Sequence, residues 1–173
     1  MKHTFLVLLT TLSLSCCNND DNNCQGIDCL PPATQTGAGT FGCLVNGKPY
    51  VDNSGFFNCF YQLVGGEYYF GITASNNNNY YRQINIGSLK AELIEGDILL
   101  LEREETKFYA FLSFDCICPQ GKTSISSPGL LRVSKLDLQN KIISATFEFT
   151  VTDPNTGIIY EITQGRFDAK FTQ

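Results

Sequence analysis

One stretch near the C-terminal end, IISATFEFTVTD from Ile142 to Asp153, alternates apolar and polar residues with great regularity. One set of alternate positions is Ile143, Ala145, Phe147, Phe149 and Val151, and the other is Ser144, Thr146, Glu148, Thr150 and Thr152. Successive side chains of a β-strand point to opposite faces, so this pattern predicts a strand with one face in a core. Half-buried strands of this kind are typical of antiparallel sheets.

The chain from residue 41 onward repeats this kind of run, with turn residues between the runs. Asn46-Gly47 and Gly65-Gly66 each separate two β-rich runs and predict hairpins, and LQNK and PNTG mark later turns. The 15 glycines and the scarcity of Ala-, Leu- and Glu-rich windows argue against helices. We therefore predict an all-β domain over residues 41–173, an antiparallel β-sandwich or barrel-like domain of about nine or ten short strands.

The closing run RFDAKF places Phe167, Ala169 and Phe171 on one strand face. Arg166 and Asp168 fall on the other face by the same alternation. This pattern predicts that the two form a pair at the surface, which would contribute little to stability.

The N-terminal residues have the layout of an export signal. Lys2 precedes a short apolar run from Phe5 to Leu14, too short to span a bilayer, and two cysteines follow in place of a small-x-small cleavage site. This order resembles the lipobox of bacterial lipoproteins, in which the signal is cut before a cysteine that carries the lipid. The resemblance implies a signal peptide over residues 1–15 and lipidation of Cys16, with Cys17 as the alternative, and hence a lipid-anchored protein at the outer membrane or cell surface.

Residues 16–40 are rich in Asn, Asp, Gly, Pro and Thr and show no periodicity, which predicts a flexible, disordered tether. The acidic run after Cys17 is similar to the surface-export signal of Bacteroidetes-type lipoproteins. The blocks FGCLVNGK and GRFD, at residues 41–48 and 165–168, also resemble the recurrent ends of a family of small uncharacterised Bacteroidetes-type lipoproteins. That resemblance supports a lipid-anchored β-domain and implies no activity or catalytic residue.

Six cysteines remain beyond the lipidation candidates. They are Cys24, Cys29, Cys43, Cys59, Cys116 and Cys118. An exported chain with six cysteines favours disulfides, and a bond between Cys24 and Cys29 would close a short loop. Free buried thiols are an alternative, and so is a zinc site. The spacing lacks the paired C-x2-C pattern that structural zinc sites favour, so we predict no metal.

The residues offer little catalytic chemistry. The single histidine, His3, lies in the predicted signal, so no imidazole would remain for a Ser-His or Cys-His nucleophile. Glu102, Glu104 and Glu105 lie in a charged turn, EREET, which makes a poor cleft for a carboxylate-dependent hydrolase. A net charge of -5 without a basic cluster argues against nucleic-acid binding.

A loop with four asparagines is the strongest binding feature in the sequence. Asn76, Asn77, Asn78 and Asn79 precede Tyr80 and Tyr81, and loops rich in amides and tyrosine suit protein or sugar surfaces. We therefore predict a non-enzymatic domain that binds a protein or glycan partner and needs no cofactor. The alternatives are a hydrolase that uses carboxylates alone and a lipocalin-like binder of a small apolar ligand, whose cavity the many Phe and Tyr residues would line.

Overall fold

The computed structural model describes residues 24–103, 108–114 and 119–173, and the predicted signal and both lipidation candidates lie outside these ranges. The described residues form eleven strands in one sheet and a single 3-10 turn at Gly26–Cys29. The strands are β1 (Thr40–Val45), β2 (Lys48–Val51), β3 (Asn58–Val64), β4 (Glu67–Ser75), β5 (Tyr81–Ser88), β6 (Ile98–Leu101), β7 (Phe108–Phe114), β8 (Gln120–Lys122), β9 (Gly129–Asp137), β10 (Ile142–Thr152) and β11 (Ile159–Lys170). The predicted all-β class is confirmed, with slightly more strands than the sequence indicated. No helix among these residues is long and apolar enough to cross a bilayer.

The predicted hairpins are present. β1 pairs with β2 around Asn46 and Gly47, whose φ angles of 47° and 75° are the left-handed backbone conformations that a two-residue hairpin turn needs. β3 pairs with β4 around Gly65 and Gly66, with φ angles of 61° and 86°. Glycine and asparagine adopt such angles at little cost, which is why these dipeptides mark the turns.

Strand β6 joins the two halves of the sheet. The strand order is β2-β1-β11-β10-β9-β6-β7-β5-β4-β3, with β8 also paired to β7. β6 pairs antiparallel with β9 from Ile98–Arg132 to Leu101–Gly129, and it meets β7 in parallel at Leu101–Phe108. The sheet is therefore mixed, whereas the sequence predicted antiparallel pairing. Leu101 is fully buried, so the two halves are joined through the core.

The sheet folds over so that its halves enclose the core in a sandwich-like form. The ring of Phe70 in β4 lies 6.3 Å from that of Phe167 in β11, and Tyr61 meets Phe171 at 5.7 Å. Beyond β11, Thr172 exchanges backbone hydrogen bonds with β3 at Cys59 and Tyr61, each 3.0 Å long. The predicted inward residues of β10 and β11 are all buried. Among them, the ring of Phe147 packs against those of Phe149 at 6.2 Å and Phe167 at 6.4 Å.

The described part of the predicted tether, residues 24–39, is bound to the domain. Leu30 is buried, and Pro31 lies so close to β1 that a Cβ added at Gly42 would come within 2.6 Å of Pro31 Cδ. A disulfide joins Cys24 to Cys29 and closes the loop around the 3-10 turn. These residues belong to the folded domain because their polar groups find partners on it, a possibility that composition does not reveal.

The main partner of this segment is Asp168, which the sequence placed at the surface with Arg166. Its side chain is instead buried, with 1% of its surface exposed. The carboxylate accepts hydrogen bonds from the hydroxyls of Thr34 (2.6 Å), Thr36 (3.2 Å) and Ser144 (2.8 Å), and from the backbone amides of Thr36 (2.9 Å), Gly37 (2.8 Å) and Ala38 (3.1 Å). We call this set the Asp168 clamp.

The clamp stabilises the negative charge of the Asp168 carboxylate with hydroxyl and backbone N–H donors, and not with a positively charged side chain. Burial alone would raise the pKa of Asp168, but the hydrogen bonds from Thr34, Thr36 and Ser144 outweigh it and hold the pKa far below its usual range. Gly37 is required because its φ is 74° and because a Cβ there would lie 2.8 Å from Lys170 Cγ. The predicted surface pair is therefore wrong: Asp168 faces away from the core, but residues 34–38 cover that face.

Candidate functional site

A row of four residues crosses the outer face of strands β3, β4, β5 and β7. The backbone register pairs Phe60 with Gly71, Gly71 with Gly87, and Gly87 with Tyr109. Residues directly opposite one another in an antiparallel sheet share a face. The alternate positions on these strands, Ile72, Ile86 and Ala110 among them, are buried in the core. The row therefore lies on the side of the sheet away from the core.

The two central glycines let the flanking rings lie against the sheet. A Cβ at Gly71 would lie 2.5 Å from Phe60 Cζ, and a Cβ at Gly87 would lie 2.9 Å from Tyr109 Oη. Each ring thus covers the glycine on the neighbouring strand. Glycine inside a strand weakens it, and it often marks a place where another group approaches the backbone closely. Here that group is an aromatic ring from the adjacent strand.

Polar side chains form a chain beside this row. The Thr73 hydroxyl donates a hydrogen bond to Asn85 Oδ1 at 2.6 Å, and Asn85 Nδ2 donates to Gln83 Oε1 at 3.0 Å. Gln83 Nε2 donates in turn to Ser75 Oγ at 3.3 Å. Asn85 also lies opposite Phe111 of β7, so the amides border the aromatic residues. All these side chains are partly exposed.

Tyr109 and Phe111 form a nearly parallel ring pair in this region. Their centroids are 6.2 Å apart and their planes differ by 6°. Burial raises the pKa of Tyr109, so its hydroxyl stays a neutral donor at physiological pH. We call Phe60, Thr73, Gln83, Asn85, Tyr109 and Phe111 the aromatic–amide face.

A surface cleft of about 560 Å³ opens at the β7 side of this face. Its lining consists of Leu89, Arg103, Tyr109, Ala110, Phe111, Gln120 and Lys122. Its volume falls in the range of about 300–1,000 Å³ that small-molecule sites occupy. The ring pair therefore borders a space large enough for a sugar-sized ligand.

The asparagine loop, which the sequence favoured as the binding site, is largely used to build the structure. Asn76 is buried, donates to the Val51 carbonyl at 2.9 Å and accepts from the Asn78 amide at 2.9 Å. The Asn77 amide donates to Asn53 Oδ1 at 3.1 Å. Asn77 and Asn78 are exposed and Asn79 is half-buried. Only part of the loop thus presents amides to solvent.

The two tyrosines of that loop differ from each other. Tyr81 is half-buried, and its ring meets those of Tyr50 at 6.0 Å and Tyr160 at 5.9 Å. Tyr80 is 49% exposed, and its ring stacks on Phe114 at 5.9 Å. Tyr80 is the more exposed aromatic residue of the loop, and it is not one of the residues that line the cleft.

The remaining predicted candidates that fall within the described residues form no assembled site. Cys43 and Cys59 are free, buried thiols, and burial raises the pKa of Cys59 to about 12, so it stays protonated. Cys116, Cys118, Glu104 and Glu105 lie outside the described residues. Within the described ranges, no group of three or more His, Cys, Asp or Glu residues is arranged to hold a metal ion.

The aromatic–amide face could not be read from the sequence because it depends on strand register. Phe60, Gly71, Gly87 and Tyr109 come from four strands, and only the pairing aligns them. The available signal was two glycines within strand-like runs, at EYYFGITAS and QINIGSL. Comparison of the chain with protein-family models, curated proteins and solved structures finds no significant match.

Proposed function

We propose that this protein is a lipid-anchored, non-enzymatic domain that binds a glycan through the aromatic–amide face. The observation that carries the proposal is the placement of Tyr109 and Phe111 beside the chain of Thr73, Asn85 and Gln83. Aromatic rings and amides occur together on one rigid sheet face, next to an open cleft.

The chemistry of the face suits a sugar ring. A pyranose has an apolar face of C–H groups that can stack on an aromatic ring, and hydroxyls at its edge that both donate and accept hydrogen bonds. Asn and Gln side chains also donate and accept, so they match hydroxyl groups well. Tyrosine adds contact area at a small cost in conformational entropy, which favours it at binding surfaces.

Binding without turnover fits the same residues. The six members of the face are aromatic, amide and hydroxyl groups, and a glycosidase needs two carboxyl groups flanking the scissile bond. We therefore propose that the face holds its ligand without cleaving it.

The proposed anchor rests on the lipobox-like N-terminus. Acylation of Cys16, or of Cys17 as the alternative, would hold the domain at the outer membrane or cell surface, and several acyl chains together hold a protein almost irreversibly. Mass spectrometry of the N-terminal peptide from the membrane fraction tests this part. An unacylated N-terminal peptide would remove the anchor from the proposal and leave glycan binding to be judged separately.

A glycan array paired with turnover assays tests the binding function. We expect the wild-type protein to bind at least one glycan and to leave it intact. Tyr109→Ala should weaken that binding about 10-fold or more, because a stacked aromatic ring is a typical binding hot spot. Phe56→Ala is the matched control, since Phe56 is 81% exposed and is not part of the face.

Three outcomes would overturn the proposal. Absence of binding to all glycans would remove the glycan, and cleavage of a bound glycan would identify an enzyme. Loss of glycan binding in Tyr80→Ala but not in Tyr109→Ala would move the binding site from the aromatic–amide face to the asparagine loop.

A further inference from the structure

We infer that the glycan bound by the aromatic–amide face is acidic, carrying carboxylate or sulfate groups, and that Lys122 and Arg103 recognise those groups. This inference rests on the proposed function and adds the ligand's charge. It follows from where the sheet places two cations relative to the ring pair.

Lys122 is fixed beside the rings by strand pairing. It lies directly opposite Phe111 in the β7–β8 register, so both side chains are on the same face of the sheet. Gly121, between Gln120 and Lys122, faces β10, where a Cβ would lie 2.7 Å from the Thr152 carbonyl oxygen. This close packing sets β8 in place and directs Lys122 to the outer face.

Arg103 lines the same cleft from a segment that follows another strand. It follows β6, whose last residue, Leu101, pairs in parallel with Phe108 of β7. Arg103 and Lys122 both line the cleft that Tyr109 and Phe111 border. Two cations, one in β8 and one in the segment after β6, thus line the same cleft as the ring pair.

The charged residues that line the cleft are basic, whereas the protein as a whole has a net negative charge. The chain has a net charge of -5, yet among the described residues the cleft lining contains two cations and no Asp or Glu. Elsewhere, three basic residues are paired with glutamates: Lys90 with Glu67, Arg132 with Glu148 and Lys135 with Glu95. Among the described residues, these ion pairs include neither Arg103 nor Lys122. A cation that is not paired with a carboxylate attracts an anion more effectively than a cation in an ion pair does.

The arrangement fits an acidic sugar better than a simple anion. A phosphate or sulfate ion has no apolar surface that could stack on the two parallel rings. A neutral sugar has no negative charge that could pair with the two cations. A uronic acid or sulfated sugar presents an apolar ring face and an anionic group together. The aromatic rings would stack on the apolar face of the sugar. Arg103 would donate two hydrogen bonds to the anionic group, and the Lys122 ammonium would add a second positive charge beside it.

Titration with matched oligosaccharides tests this inference. The probes are hexasaccharides of galacturonate, alginate, hyaluronan and chondroitin sulfate. Each is compared with its neutral, carboxyl-reduced form, which for chondroitin sulfate is also desulfated. We expect at least one acidic probe to bind about 10-fold or more tightly than its neutral form. Arg103→Gln and Lys122→Gln should each weaken that probe about 3- to 10-fold and reduce the salt dependence of binding. Arg132→Gln and Arg166→Gln are the matched controls and should change little.

The possible results distinguish a failure of the acidic-ligand inference from a failure of the proposed glycan-binding function. The neutral forms could bind as tightly as the acidic forms or more tightly, and lose that binding in Tyr109→Ala. This result would overturn the inference of an acidic ligand and leave the proposed glycan-binding face intact. Acidic binding that survives Arg103→Gln combined with Lys122→Gln would also overturn it. If no probe and no array glycan binds, the proposed function itself fails.

Discussion

The Asp168 clamp and the aromatic–amide face are both built on outer surfaces of the same sheet, yet their polar groups are used in opposite ways. The clamp buries one carboxylate under residues 34–38 and gives it six hydrogen bonds. The face leaves its rings and amides partly exposed around an open cleft. A buried and fully bonded cluster serves the fold, whereas a half-exposed one has capacity left for a ligand.

The comparison also separates two roles of glycine. Gly37 in the clamp has a positive φ of 74° and permits the segment to turn around the carboxylate. Gly71 and Gly87 are strand residues at which missing Cβ atoms make room for Phe60 and Tyr109. The first kind of glycine shapes the backbone, and the second kind shapes a surface.

The largest expected effect comes from breaking the clamp. Asp168→Asn replaces one acceptor oxygen with an NH₂ group that faces backbone and hydroxyl donors, so the free energy of unfolding should fall by about 3 kcal/mol. Hydrogen exchange at the amides of Thr36, Gly37 and Ala38 should accelerate, while exchange at Asn85 and Gly87 should change less. Arg166→Gln, two residues away on the same strand face, should shift stability by less than about 0.5 kcal/mol. Equal stability of Asp168→Asn and wild type would refute the clamp.

Acid should weaken the same region reversibly. Because the folded-state pKa of Asp168 is depressed, its contribution is present above the unfolded pKa of about 3.9 and is lost as pH falls toward the folded value. We expect about 2 kcal/mol of stability to disappear between roughly pH 5 and pH 2. Chemical unfolding measured across this range should show the loss in wild type and a shallower slope in Asp168→Asn. A slope that is identical in the two proteins would argue that other carboxylates dominate.

The aromatic–amide face should be more sensitive in binding than in stability. Gly87→Val would push its side chain into Tyr109 and toward the Phe70 carbonyl, which lies 3.0 Å from the added Cβ position. We expect a cost of about 1–2 kcal/mol in stability from this overpacking, together with loss of glycan binding. Thermal unfolding and the glycan titration measure the two effects. Retained binding in a folded Gly87→Val protein would mean that the position of Tyr109 does not matter.

Local patterns predicted much of the fold. The turn dipeptides Asn46-Gly47 and Gly65-Gly66 specify their hairpins, and the alternation from Ile143 to Val151 identifies a strand and its buried side. These features depend only on neighbours in the chain. The pairing of β6 with β9 could not be foreseen, because it joins strands that are separated by β7 and β8 in the sequence.

The residues of the Asp168 clamp and of the candidate site were harder to predict because they depend on contacts between distant segments. The alternation of side chains correctly predicted that Asp168 lies on the outer side of β11. Only the tertiary structure shows that the segment 34–37 packs on that side. The sequence predicted that the asparagine loop would bind a partner. In the structure, the Asn76 side chain instead donates a hydrogen bond to the backbone carbonyl of Val51. Composition indicates which groups are available, and tertiary contacts decide which of them remain so.

Mapping of amide chemical shifts by NMR during titration with a bound glycan tests the central claim most directly. The account predicts shifts concentrated at Gly71, Thr73, Asn85, Gly87 and Phe111, with the amides of Thr36, Gly37 and Ala38 unmoved. Shifts confined to residues 77–80, or centred on the clamp, would contradict the assignment of the aromatic–amide face as the ligand-binding surface.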